Sequence, residues 1–271
     1  MLDLRKKWIG LGFAFPAIAG FILFYLIPIA TMIWYSLSFG IGKREFVGLK
    51  NFVELMENEM FFLALKNTAR FIFICVPTIL VISLLIALGL QKITKHSQKY
   101  LTIYFYPMLL PIASIALFVH QFWDEKSVNS PKAFGILCIL YIWKYFGYHT
   151  LILYARLQMI PEVYYEHANL CGAGGVAMFR YITLPLILPV LLFNVLLAVM
   201  NALKCYREAF LIGGNYPNES IYLLQHFINN NFETLNYQKI SATSVLLLMA
   251  IFIPVLLVFG IYCLARRKQD V

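Results

Sequence analysis

Six stretches of this chain are apolar for longer than the core face of a soluble helix requires, at about residues 8–35, 70–90, 101–123, 133–154, 182–203 and 242–265. A helix needs roughly 20 such residues to cross the hydrocarbon layer of a bilayer. No water is present in that layer to satisfy backbone amides and carbonyls, so a run of this length satisfies them within itself, as a helix. Prolines interrupt five of the six runs: Pro16 and Pro28, Pro77, Pro107 and Pro111, Pro185 and Pro189, and Pro254. In water these would argue for breaks, whereas in a bundle neighbouring helices take up the freed carbonyls. The expectation is an all-α, polytopic membrane protein, a single transmembrane domain over residues 1–271. Its first run follows Arg5, Lys6 and Lys7 but exceeds the roughly 7–15 apolar residues of a secretory signal, so it reads as a retained anchor.

Only 13% of residues are charged against 61% apolar, which leaves no composition for a large soluble domain. Lys and Arg number 22 against 13 acids, a net charge of +9. The basic residues sit at the ends of the apolar runs and form no polar stripe, so they set orientation and do not point to nucleic acid. With the N-terminus inside, the inner segments hold Arg5, Lys6, Lys7, Lys92, Lys95, Lys99, Arg156, Arg180, Arg266, Arg267 and Lys268. Their acids are Asp3, Glu162, Glu166 and Asp270, whereas the outer loops nearly balance their basic residues with Glu45, Glu54, Glu57, Glu59, Asp124 and Glu125. Both termini are therefore expected on the cytoplasmic side, in agreement with an even number of spans.

Several chemistries lack their residues. Cys75, Cys138, Cys171, Cys205 and Cys263 have no close pair in sequence and read as small apolar residues. None of His96, His120, His149, His167 and His226 lies three or four residues from another, so no helical metal face is written, and no metal site or catalytic residue is assigned. Gly40-Ile41-Gly42-Lys43-Arg44 lacks the spacing and the hydroxyl of a phosphate-cradling loop, and Gly172-Ala173-Gly174-Gly175 lacks a preceding strand and reads as a turn. A membrane-embedded lipid-modifying enzyme would need clustered His, Asp or Glu at a membrane face. An ion-driven secondary carrier would show carboxylates or histidines deep in its spans. Among the ionisable residues, Lys144 lies mid-span and either faces the interior or snorkels to the interface. Lys204, Arg207 and Glu208 cluster at the outer end of the fifth span, as an interfacial salt-bridge group or as substrate contacts.

The most ordered cytoplasmic segment is the loop over about residues 156–181. Pro161 starts a helix with Glu162 and Glu166 near its positive end, Gly172 to Gly175 permit a sharp turn, and Val176 to Ile182 resume a helical pattern. The result is a helix-turn-helix at the membrane surface. Its residues Ile160-Pro161, Glu166-His167-Ala168, Cys171-Gly172-Ala173, Phe179 and Ile182-Thr183-Leu184-Pro185 resemble the Glu-Ala-Ala loop of inner-membrane permease subunits of binding-protein-dependent ABC importers. His167 stands where that family has Ala, and Cys171 where it has Asp. Val47-Gly48-Leu49-Lys50-Asn51-Phe52, Ala64-Leu65-Lys66-Asn67-Thr68, and Gly213-Gly214 ahead of Ser220-Ile221-Tyr222 resemble the carbohydrate-uptake branch, the maltose, glycerol-phosphate and multiple-sugar permeases.

That resemblance implies a type I ABC importer permease fold in the cell membrane of a prokaryote. It implies a second permease subunit, as a heterodimer, two copies of an ATP-hydrolysing subunit that bind ATP and Mg, an extracytoplasmic solute-binding protein, and a sugar or oligosaccharide as substrate. Glu166, His167, Ala168, Cys171, Gly172, Ala173, Phe179 and Pro185 would form the loop that couples to the ATPase. Trp143, Tyr145, Tyr148, Asn201 and Arg207, on the helices that the family's central site uses, would line the substrate path. No cofactor is expected in this chain itself.

Overall fold

The computed structural model describes residues 13–40, 44–93 and 97–267. Arg5, Lys6, Lys7, Ile41 to Lys43, Lys95, His96, Lys268, Asp270 and the first residues of the first expected span lie outside the described residues.

The described residues are helical almost throughout. Helix α1 covers Phe13–Ser36, and a two-stranded hairpin, β1 at Ser38–Phe39 and β2 at Glu45–Phe46, follows it with Ser38 opposite Phe46. Then come α2 (Lys50–Met56), α3 (Glu59–Gln91), α4 (Ser97–Leu109), α5 (Ile112–Phe122), the single turn α6 (Glu125–Val128), α7 (Ala133–Gln158) and α8 (Glu162–Leu170). A helical run over Gly175–Gly213, α9, contains a π turn at Phe179–Thr183 and an irregular residue at Cys205. Helices α10 (Leu224–Glu233) and α11 (Tyr237–Arg267) complete the order. Among the described residues, five helices are long and apolar enough to cross a membrane, or six when α4 and α5 count as one broken span.

That broken span differs from the straight helix expected over 101–123. Its halves meet at 90°. Pro107 is carried inside α4, but Pro111 takes an extended backbone, φ −57° and ψ 139°, ahead of α5. Pro111 offers no amide to the preceding turn, and its ring disfavours helix at Leu110, so the chain turns there. Helix α3 differs in the other direction, beginning 11 residues before the apolar run. Asn58 Oδ1 accepts from the Phe61 amide at 3.0 Å, which caps the first turn, and the helix then extends for 33 residues, about 50 Å.

The described residues fall into two compact units, one within 1–61 and 228–250 and the other within 62–227 and 251–271. In the first, the buried Asn51 amide donates to the carbonyls of Ser36 (2.8 Å) and Ser38 (3.0 Å), fixing α2 against the end of α1 and the hairpin. Arg44 lies 3.3 Å over the Tyr35 ring, and Gln238 donates to the Gly40 carbonyl.

In the second unit α7 is the axis. Phe71, Cys75 and Ile79 of α3, Leu137 and Tyr141 of α7, and Ala198 and Ala202 of α9 share one core. Phe71 meets Tyr141 edge-on with ring centres 5.4 Å apart. A smaller cluster of Ala87, Leu153, Leu157, Ile160 and Ile187 lies toward the end of α7. Helix α4 crosses α7 at Gly147, where a Cβ would sit 1.8 Å from the Tyr104 carbonyl oxygen. Only glycine permits that approach.

Candidate functional site

The loop between α7 and α9 is built from standard stops and starts. Pro161, extended at ψ 132°, sets the N-terminus of α8, and Glu162 occupies its first turn. At the other end Gly172 adopts φ +76°, its amide donates to the Asn169 carbonyl, and the Ala173 amide donates to the Ala168 carbonyl, both at 2.9 Å. This pair of bonds is a Schellman closure, which demands the left-handed glycine. Helix α9 then starts at Gly175 and passes through the π turn. Pro185 cannot donate to the Tyr181 carbonyl, and the chain answers by shifting its bonding by one residue, Leu184 to Phe179.

No residue of α8 is buried. Glu166, His167, Cys171, Gly172 and Pro185 are exposed, while Ala168, Ala173 and Phe179 are half-buried. Around them the loop presents bare apolar side chains: Leu170 is 86% exposed, Val176 83%, and Val163 and Tyr164 are more than half exposed. Isolated apolar residues on a surface are ordinary, whereas here four stand bare on one short loop. A motif reading centred on Glu166 and Gly172 does not single them out, because their value lies in their exposure.

The loop is tethered at its base. Tyr165 Oη and Thr183 Oγ1 are 2.9 Å apart, joining α8 to the π turn, and Thr183 is buried. Arg156 donates twice to the Leu186 carbonyl, at 3.0 and 2.8 Å, next to the Pro185 carbonyl that Pro189 leaves without a helical donor. An open cleft of about 860 Å³, lined by Gln91, Lys92, Tyr154, Gln158, Tyr165 and Asn169 among others, separates α8 from the ends of α3 and α7.

Farther along the same two helices, Lys144 and Glu208 form a buried ion pair, with side chains 8% and 3% exposed. Of the two positions open to Lys144, the structure takes the interior one. Glu208 departs from its sequence neighbours: Lys204 and Arg207 are exposed, and the irregular residue Cys205 turns the last helical segment so that Glu208 faces α7. Lys144 Nζ also lies 5.1 Å from the Tyr145 ring centre. The expected path residues fall into three groups. Trp143 and Arg207 are exposed, with Trp143 stacked on Phe118. Tyr148 and Asn201 are half-buried, and Tyr145 is buried at 7%.

Two of the sequence signatures meet in space. Asn67 donates to the Glu219 and Tyr222 carbonyls, and Thr68 Oγ1 accepts from the Leu224 amide at 2.9 Å. The Asn-Thr pair of α3 therefore holds the segment that follows Gly213-Gly214. Beyond it His226 is fully buried, its Nδ1 accepting from the Leu223 amide while the rings of Tyr206 and Tyr222 pack on it. Burial pushes its pKa down to about 4.

Residues 60–270 match the family described as binding-protein-dependent transport system inner membrane component. The sn-glycerol-3-phosphate transport system permease protein UgpA of Yersinia pestis bv. Antiqua (strain Antiqua) is 27% identical over 272 residues, 90% of each chain. Its counterpart in Escherichia coli O157:H7 is 27% identical over 282 residues, 94% of each. A chain of a bacterial alginate ABC transporter, crystallised with its alginate pentasaccharide-bound periplasmic protein, shares the fold with a TM-score of 0.80 at 20% identity over 94% of both chains. A second structure, of a bacterial ABC transporter involved in the import of the acidic polysaccharide alginate, gives 0.79 at 21% identity over 98% of this chain and 97% of that one.

Proposed function

The chain belongs to the family of binding-protein-dependent transport system inner membrane components, and from that premise we propose that it is the membrane-spanning subunit of an ATP-driven sugar importer. It forms the translocation path with a second permease subunit, receives substrate from an extracytoplasmic solute-binding protein, and couples to two copies of an ATP-hydrolysing subunit through Glu166 to Ala173. Both termini lie in the cytoplasm. The observation that carries this reading is the α8 loop: no residue of α8 is buried, Val163, Tyr164, Leu170 and Val176 are bare apolar side chains, Gly172 closes the helix, and the Tyr165–Thr183 bond ties it to the base of a spanning helix. A loop that merely joined two spans would have no need of an apolar exposed face or of a buried tether. Named relatives that transport sn-glycerol-3-phosphate and structural neighbours that import alginate support a carbohydrate or polyol substrate.

Closure of the ATPase pair around ATP would push on α8, and the helices it is tied to would open the path alternately to each side. Reconstitution in proteoliposomes with the ATPase, the partner permease and the binding protein tests this. Substrate-loaded binding protein should raise ATP hydrolysis. Glu166→Arg should insert normally and uncouple transport from hydrolysis; substrate-stimulated uptake at the wild-type rate in that variant would overturn the assignment.

A further inference from the structure

Helices α7 and α9 are joined by side-chain links at four levels among the described residues. Tyr141 Oη donates to the Ala198 carbonyl at 2.7 Å, Lys144 pairs with Glu208, and Arg156 forks onto the Leu186 carbonyl. Between them lies the most buried level. His149 Nδ1 and Asn194 Oδ1 are 2.6 Å apart, the Asn194 amide returns to the His149 carbonyl at 3.3 Å, and both residues are 0% exposed. The Asn194 oxygen is an acceptor, so it holds the imidazole as the Nδ1–H tautomer.

These levels span residues 141 to 156 of α7, about 22 Å of helix and most of the depth of a bilayer core. Apolar helix contacts in lipid carry no directional preference, so two such helices can slide or rotate against each other at small cost. Hydrogen bonds at four heights remove that freedom. Helices α7 and α9 are also the two that flank α8, and the Tyr165–Thr183 bond ties α8 to one of them.

We infer that α7 and α9 act as one rigid lever, and that His149 and Asn194 are its central positioning pair, carrying displacement of α8 to the far part of α7 that holds Tyr141 and the Lys144–Glu208 pair. This rests on the reading that the ATPase docks on α8. Without the pair, the loop still receives the push but the two helices no longer share it, so hydrolysis continues while the path fails to open.

The test uses the full reconstituted transporter with His149→Leu, Asn194→Leu and the exchange variant H149N/N194H, measuring ATPase association, binding-protein-stimulated hydrolysis and uptake per ATP. Each single variant should keep association and stimulated hydrolysis but lose about fivefold or more in uptake per ATP. The exchange variant, which can rebuild the bond, should recover much of it. An unchanged ratio in both single variants overturns the inference while leaving α8 docking intact, whereas wild-type complexes that bind no ATPase overturn both. Should the Leu variants not accumulate in the membrane, Tyr141→Phe removes a single oxygen from the outermost of the four levels. A normal uptake ratio there overturns the lever equally.

Discussion

Removing one member of the Lys144–Glu208 pair should be far more damaging than removing both. The side chains are 8% and 3% exposed, so neither charge is solvated in the folded chain and each is tolerated through the other. Deleting one partner of a buried pair costs about 3–5 kcal/mol, because the survivor remains as an uncompensated charge. Replacing both with apolar groups of similar volume is close to neutral, or stabilising by roughly 1–4 kcal/mol. Lys144→Met and Glu208→Leu should therefore each lower stability by about 3–5 kcal/mol, and the double variant should return most of it. The assay is a double-variant cycle on purified protein in mixed micelles, following loss of helicity with increasing denaturing detergent. Single losses below about 1 kcal/mol, the range of a solvated surface pair, would refute the burial argument. A double variant no better than the worse single would refute the coupling.

Other consequences follow from individual positions. Gly147→Ala should place a methyl against the Tyr104 carbonyl and separate α4 from α7, costing at or above the top of the about 1–3 kcal/mol range for overpacking; Gly175→Ala, with open space around it, should be near neutral in the same denaturing-detergent titration. His226 is held neutral with its pKa depressed to about 4, so its share of stability is complete above the unfolded value near 6.5 and is lost as pH falls toward 4. Between pH 7 and pH 5 that amounts to about 2 kcal/mol, and His226→Gln should flatten this part of the stability profile. A profile unchanged by the substitution would mean that His226 titrates freely.

What was legible in the chain follows from which forces are local. Runs of apolar residues report the bilayer directly, so the all-α membrane class could be read from hydropathy alone, and the α8 loop could be read because its glycine and proline stops are contiguous. The start of α3 was hidden because Glu59, Lys66 and Arg70 keep its first turns out of an apolar window, although Asn58 is an ordinary cap. The right angle at Pro111 was hidden because a proline in a span is as often absorbed as obeyed, and Pro107 and Pro189 are absorbed. Pairings across long separations carried no signal at all. Glu208 looked like a member of the Lys204–Arg207 cluster, and only the irregular turn at Cys205 sends it inward. Asn194 and His149 are 45 residues apart, and nothing in the linear order pairs one with the other.

Lys144 and Glu208 are also separated in time. They lie 64 residues apart in the chain, and at roughly 5–20 residues per second the carboxylate is made about 3–13 s after the amine. Throughout that interval the span bearing Lys144 must enter the membrane with an unmatched cation, a burden of about 2.5–3.5 kcal/mol at a helix centre. The nascent protein thus passes through a stage in which its fourth span is less apolar than the finished one. A Glu208 substitution prolongs that stage indefinitely, so the abundance of such a variant reports on insertion by the ribosome-bound translocon before it reports on the stability of the folded chain.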